Sequence, residues 1–241
     1  MPQSIYQQRL LPQPKLAWGA LVLFACLIFV INHWTNIDLA IQDFYFDSLH
    51  HRFPWKNTWF AEAFMHGHIK KILMIFGVAI ILLVVLDFIA PIKTTAPIVR
   101  FRLRFIAIVA ILDPLITSLI KSRSVYHCPW DVNRYGGSAD FLRLFDPIPI
   151  GMDAGHCFPA GHATSGLWLA AFCIFWLPQR PKIASLVFAI GLGIGFILGW
   201  VQQMRGAHFL THTLSSMWIV SALILSMLSI SQPIFNRYQL L

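Results

Sequence analysis

Two short runs set histidines beside apolar segments: Cys157 to Gly166 reads CFPAGHATSG, and Arg205 to His212 reads RGAHFLTH. His162, His208 and His212 stand within them, and Lys121 closes an apolar stretch upstream. One imidazole can attack phosphorus while a second protonates the oxygen that leaves. A lysine, an arginine and backbone amides can hold the other oxygens of a phosphoryl group in flight. Lys121, Arg205 and the Ala160-Gly161 backbone supply parts of that second kind. A histidine in apolar surroundings loses hydration and needs a partner, so its placement there calls for a reason. The reason these residue types offer is phosphate-ester chemistry at a membrane surface.

Those residues must be positioned by helices in lipid. Hydrophobic residues make up 57% of the 241 and charged residues 12%, a balance that a soluble core and its surface do not share. About 20 apolar residues cross the roughly 30 Å hydrocarbon layer. Six segments come close to or meet that length: Leu16 to Ile31, Ile72 to Ile89, Phe105 to Leu119, His162 to Leu177, Ile183 to Val201 and Phe209 to Ile230. The expected fold is all-α, a polytopic membrane protein with six transmembrane helices, a short interfacial helix and an outer loop over the site. Residues 1–241 form one transmembrane domain in this reading. No small-residue cleavage site precedes the Trp34-Thr35-Asn36 stretch, so the first span is expected to stay in the mature protein.

Six spans put both termini on one side. With that side cytoplasmic, the inner segments hold Arg9, Lys15, Lys93, Arg100, Arg102, Arg104, Arg180, Lys182 and Arg237, with no carboxylate among them. This satisfies the positive-inside rule and predicts a bacterial inner-membrane protein with its site on the periplasmic side. The net charge of +8 is then a basic fringe against anionic lipid heads, and no nucleic-acid partner is needed. Lys121, His162 and His208 converge on the outer face.

Ile37, Ala40, Ile41 and Phe44 recur at helical spacing and predict an interfacial helix ending before Pro54; a plain tether is the alternative. Lys121 to Cys157, with Tyr135-Gly136-Gly137, Pro147 and Pro149, predicts an irregular lid. Trp130 and Tyr135 either rest on lipid or wall the substrate head group. Cys128 and Cys157 stand at the two ends of the loop, in a compartment that permits a disulfide; spacing leaves their pairing open. A cluster of His156, His162, His208 and His212 would invite a metal, but no Asp or Cys in ligand spacing completes a preferred geometry, so no metal is expected. His50, His51, His66 and His68 are expected to be solvated in the first outer segment.

Taken together, the chain resembles the type 2 phosphatidic acid phosphatase superfamily, whose six-helix core carries three motifs. Lys, six residues and Arg-Pro is matched by Lys121, six residues and Cys128-Pro129. Pro-Ser-Gly-His is matched by Pro159-Ala160-Gly161-His162. In Arg, five residues, His, three residues and Asp, the histidine falls on His208, the Asp position on His212 and the Arg position on Gln202. The resemblance implies that His208 attacks phosphorus to form a phosphohistidine and that His162 protonates the departing oxygen. It further implies that Lys121 neutralises phosphate charge and that the amides of Ala160 and Gly161 donate to a phosphoryl oxygen at a helix start. No metal or cofactor is implied.

Four positions depart from the pattern, among them Ala160, which removes the hydroxyl of the motif's Ser and leaves the amide. Cys128 and Gln202 replace two arginines, and a thiol offers no bidentate donors. Arg205, about one helical turn beyond Gln202, is the candidate replacement, with Arg123 and Arg134 behind it. His212 replaces the Asp that orients the nucleophile; a neutral imidazole can hold the tautomer but stabilises a cation less. Asp113 either supplies charge through His212 or is a packing or protonated polar contact. The leading expectation is a membrane phosphatase acting on a lipid phosphate or diphosphate. A lipid phosphotransferase, and a non-catalytic lipid-phosphate binder or transporter-like protein of the same fold, are the alternatives.

Overall fold

The structure, a computed structural model, describes residues 9–91 and 95–238. Lys93 of the inner fringe lies outside the described residues. Among the described residues, eight helices longer than a single turn follow one another: α1 Pro14–Trp34, α2 Ile37–Tyr45, α3 Trp59–Ile89, α4 Pro97–Lys121, α5 Thr164–Phe175, α6 Pro181–Met204, α7 Leu210–Ile230 and α8 Gln232–Tyr238. Proline opens α1, α4 and α6, where its missing N–H costs no helical bond and its fixed φ suits the first turn. The outward faces are apolar, with Leu23, Ile75 and Leu86 all strongly exposed. That inversion fits a molecule solvated by hydrocarbon, in which helices satisfy their own backbone bonds.

Five helices, α1, α3, α4, α6 and α7, are long and apolar enough to cross a membrane. The expected fourth span is different. It begins at Thr164 rather than His162, runs as one α-helical turn and continues in the tighter 3-10 winding from Trp168 to Phe175. Its length of about 20 Å falls short of the hydrocarbon layer. Leu167, Ala170, Ala171 and Ile174 are fully buried, so the segment is apolar because it is the axis of the bundle. Leu169, Phe172 and Phe175, which share one face of the 3-10 winding, are partly buried, so most of the segment's hydrophobicity reports a core.

Close approach of α6 to this axis depends on glycine. A Cβ at Gly191 would lie 2.3 Å from the Ala170 backbone N, and one at Gly195 would lie 2.3 Å from Leu167. Small residues let membrane helices pack backbone to backbone, where apolar burial alone gives little drive. Phe105, Ile106 and Val109 of α4 and Val220 and Ile224 of α7 close the remaining sides.

α3 starts thirteen residues before the expected Ile72 and is continuous from Trp59 to Ile89. Its first eleven residues, Trp59–Ile69, are wound as a π-helix. Such winding is rare and concentrates at functional sites. At the opposite end of the bundle Asp87 meets Arg100 at 3.1 Å and Arg104 at 3.4 Å, so a carboxylate from the second span neutralises part of the basic fringe.

α2 turns its polar residues inward. Asp38 and Gln42 are buried while Ile37 and Phe44 are exposed, the reverse of a soluble amphipathic helix. The lid between α4 and α5 holds two single 3-10 turns, Pro129–Asp131 and Asn133–Tyr135, in otherwise irregular chain. Two arginines moor it. Arg143 donates to the carbonyls of Asn32 and Thr35 at the C-terminus of α1, both at 2.5 Å, and Arg134 makes a bidentate pair with Asp43 of α2 at 2.8 and 2.7 Å. Phe53, Val132, Tyr135 and Phe209 form a small core beneath.

Candidate active site

Lys121, His162 and His208 reach one end of the bundle from three directions: the last residue of α4, the approach to α5, and the turn from α6 to α7. The ring centroids of His162 and His208 are 6.1 Å apart, and His212 lies 5.8 Å from His208. Lys121 lies against Gly161, where an added Cβ would stand 4.0 Å from its Nζ. Gly206 makes the turn with φ +73°, a left-handed conformation, and a Cβ there would strike Phe53 at 2.4 Å. His208 is 2% exposed.

Burial pushes the His208 imidazole well below its ordinary value, and His212, Lys121 and His162 add to the effect while the Cys157 carbonyl opposes it. The ring is therefore neutral near pH 7, as a nucleophile must be. Its Nδ1 lies 3.5 Å from Cys157 Sγ. Burial pushes His162 down to about 3, with His66, Lys70, Lys121 and Arg205 contributing in that order.

Cys128 and Cys157 are joined by a disulfide with Cα atoms 5.2 Å apart, well within the range of such bridges. It clips the chain after α4 to the chain before α5, and backbone bonds from Gly155, His156 and Cys157 back to residues 124–126 continue the clip. The two sulfurs and a His208 ring nitrogen lie within 4.8 Å of one another, close enough for metal ligands, yet in the disulfide neither sulfur is a thiolate. His156 is exposed and approaches the Lys121 carbonyl, so the imagined four-histidine cluster does not assemble.

Arg205 is at the site, 6% exposed and held from three sides. Nη1 donates to Gln202 Oε1 at 3.1 Å, Nε donates to the Lys56 carbonyl at 2.9 Å, and Nη2 stands 3.7 Å from Glu62. Gln202, at the vacant arginine position, thus acts as a bracket for the arginine one turn on. Arg134 is committed to Asp43 and half-exposed, and Arg123 is exposed in a cleft with Leu119, Ile120, Ile148 and Phe158. Neither joins the histidines.

The second motif needs a correction. The N–H of Ala160 donates to the His212 carbonyl at 3.1 Å, and the helix begins four residues later, so this amide is spent on holding α7. Asp113 also departs from the relay considered for it. Both its carboxylate oxygens are buried without a hydrogen-bond partner among the described residues, and so is His212 Nδ1. The carboxyl is buried within α4 and makes no hydrogen bond to His212. Tyr135 is buried in the lid core, with its hydroxyl donating toward Asp43 or the Leu39 carbonyl, and Lys56 lies over the Trp130 ring at 4.5 Å. Tyr135 therefore forms no wall for a head group.

Sequence reasoning missed residues from the N-terminal helices. His66 is not solvated: its Nε2 shares a hydrogen bond with Nε2 of His162, and the ring centroids are 4.2 Å apart. Glu62, His66 and Lys70 recur every four residues along α3, and that spacing was a signal available to a reader who started the span earlier. His50, His51 and His68 are exposed as expected. Asp38 accepts from the Thr211 N–H at 3.0 Å and its hydroxyl at 2.5 Å, and Gln42 Nε2 donates to the His208 carbonyl at 2.9 Å. These two side chains brace the turn that carries His208.

No curated protein and no solved structure matches the chain. Residues 102–235, more than half of the chain and inclusive of Lys121, His162, Arg205, His208 and His212, match the PAP2 superfamily. This is a membrane-helical protein that belongs to the PAP2 superfamily.

Proposed function

We propose that the protein is a phosphatase of a lipid phosphate or diphosphate, working through a phosphohistidine at His208. The observation that carries the reading is a buried, neutral His208 within ring-contact distance of His162, with Lys121 and Arg205 at the same pocket. With Nδ1 of His208 turned toward Cys157, Nε2 is the nitrogen left for phosphorus. Its lone pair forms the N–P bond as the P–O bond to the lipid breaks, and His162 delivers the proton to that oxygen. Water then attacks phosphorus, the N–P bond breaks and inorganic phosphate departs. Lys121 and Arg205 hold phosphate charge throughout, joined by the amide of Gly161 in the absence of that of Ala160. No metal is needed for these steps.

A lipid substrate suits the position of the site at one end of an apolar bundle, where a head group can enter while its chains remain in hydrocarbon. The helix ends away from the site carry Arg100, Arg102, Arg104, Arg180, Lys182 and Arg237, so the positive-inside rule supports cytoplasmic termini and a periplasmic site on a bacterial inner membrane.

The test is phosphate release by purified protein from polyprenyl diphosphates, lipid A and glycerolipid phosphates, with His208→Ala as its control. Wild type releases phosphate from at least one lipid, and the variant loses activity by about 1,000-fold or more, as expected when a covalent nucleophile is removed. Phosphate arriving on a second lipid instead of in solution identifies a transferase. Equal release by the two proteins overturns the assignment.

A further inference from the structure

His162 has one nitrogen on His66 and the other alone. The two Nε2 atoms share a hydrogen bond, so one ring donates and the other accepts, while Nδ1 of His162 is buried without a partner among the described residues. In this buried setting a neutral imidazole that gives up its Nδ1 proton to a leaving oxygen would become an imidazolate unless its Nε2 gained a proton in the same event. Among the described residues the ring placed at that Nε2 is His66. It stands half-buried on α3, one turn beyond the exposed Glu62, and outside the residues that match the family.

On the phosphatase reading above, we infer that His66 is the proton source for His162, which passes the proton on and stays neutral. The Nε2–H bond of a His66 imidazolium breaks as the proton forms a bond to Nε2 of His162. The Nδ1–H bond of His162 breaks as that proton bonds to the departing lipid oxygen, which keeps the P–O electron pair. His66 ends neutral; when water attacks the phosphohistidine, Nδ1 of His162 takes its proton and the Nε2 proton of His162 returns to His66. The charged groups facing His66 are Glu62 and Lys70 from its own helix and Arg205 from the end of α6. Those facing His162 are His66, Lys70, Lys121 and Arg205, with His208 across the pocket. A phosphate dianion entering among three cations and one carboxylate brings the negative charge that holds a proton on His66. His66 acts through His162 and touches no reacting atom.

Leaving-group chemistry separates this relay from a structural role. A lipid alkoxide needs a proton as it departs, whereas nitrophenolate departs without one. His66→Gln lowers kcat on the lipid phosphate by about 100-fold, the low end of general-acid effects, yet keeps kcat on nitrophenyl phosphate within about threefold. The wild-type rate on the lipid falls as pH rises and His66 loses its proton; the variant shows no such limb, and added imidazole restores part of its rate. Nitrophenyl phosphate turnover also reports that the variant is folded. Equal losses on both substrates, or none on the lipid, overturn the relay. His208→Ala must abolish turnover of both substrates; if it does not, the phosphatase reading itself fails, independently of His66.

Discussion

Residues 102–235 hold Lys121, His162, Arg205, His208 and His212, whereas the helices before them hold Asp38, Gln42, Glu62, His66 and Lys70. The first set holds the residues proposed above for the chemistry, all within the superfamily match. The second set touches it at three places: Glu62 faces Arg205, His66 joins His162, and Gln42 holds the carbonyl of His208. The contrast teaches that a site lying within the matched region is braced from outside it. An α1–α3 unit built only as an anchor would have no reason to bury Asp38 and Gln42.

The largest effect expected in breaking this contrast is at Arg205, where the two regions meet. Arg205→Ala lowers kcat/KM on the lipid by at least about tenfold, equivalent to about 1.4 kcal/mol of transition-state binding. Glu62→Gln leaves the guanidinium in its Gln202 and Lys56 bracket and costs less. Turnover by Arg205→Ala equal to wild type would remove the guanidinium from the phosphate.

How much of this was legible beforehand follows from which physics a residue obeys. Lys121, His162 and His208 were readable because motif spacing and span edges agree at each of them. Arg205 was readable from helical geometry, since one turn beyond Gln202 returns to the same face. α5 departs from the expected span because apolar length can report a core as well as lipid, and most of its side chains meet protein. Asp38 and Gln42 were missed because a polar stripe on an interfacial helix reads as its wet side, and here the dry side faces out. His66 was missed because the expected span began beyond it, at Ile72, and nothing in a hydropathy pattern announces π winding.

Asp38 tests the brace. α7 has no side-chain cap of its own, and Asp38 serves the Thr211 amide in its first turn from another helix. Asp38→Ala leaves that buried donor unpaired and costs about 1–3 kcal/mol, or roughly 3–9 °C in Tm for a chain of this size. Thermal unfolding in detergent measures it. An unchanged Tm would reduce α2 to a tether.

Acid should reach the two regions at different points. His208 and His162 are held below their ordinary value, so between about pH 6.5 and their folded values the unfolded chain binds more protons than the folded one. Stability from these rings is full above about pH 6.5 and is lost as pH falls. Asp43 is held low by its hydrogen bonds to Arg134, so its contribution is full above about pH 4 and fades only below. Tm therefore drops by a few degrees from about pH 6.5 to 4.5, before the Asp43 pair is touched; a flat Tm over that window would mean that unfolding does not charge the histidines.

The smallest effect belongs to Arg134, which motif reasoning offers, behind Arg205, as a phosphate ligand. Its guanidinium is paired with Asp43 through two bonds, with both side chains about half exposed, and exposed pairs contribute about 0.2–1 kcal/mol. Arg134→Ala therefore keeps phosphate release within about twofold of wild type, and shifts Tm by no more than about 3 °C. The comparison with Arg205→Ala is the informative one, because the two arginines differ little in sequence terms and greatly in what surrounds them. A tenfold loss at Arg134 would mean that the lid swings this arginine onto the head group, and that the moorings to α2 open during turnover.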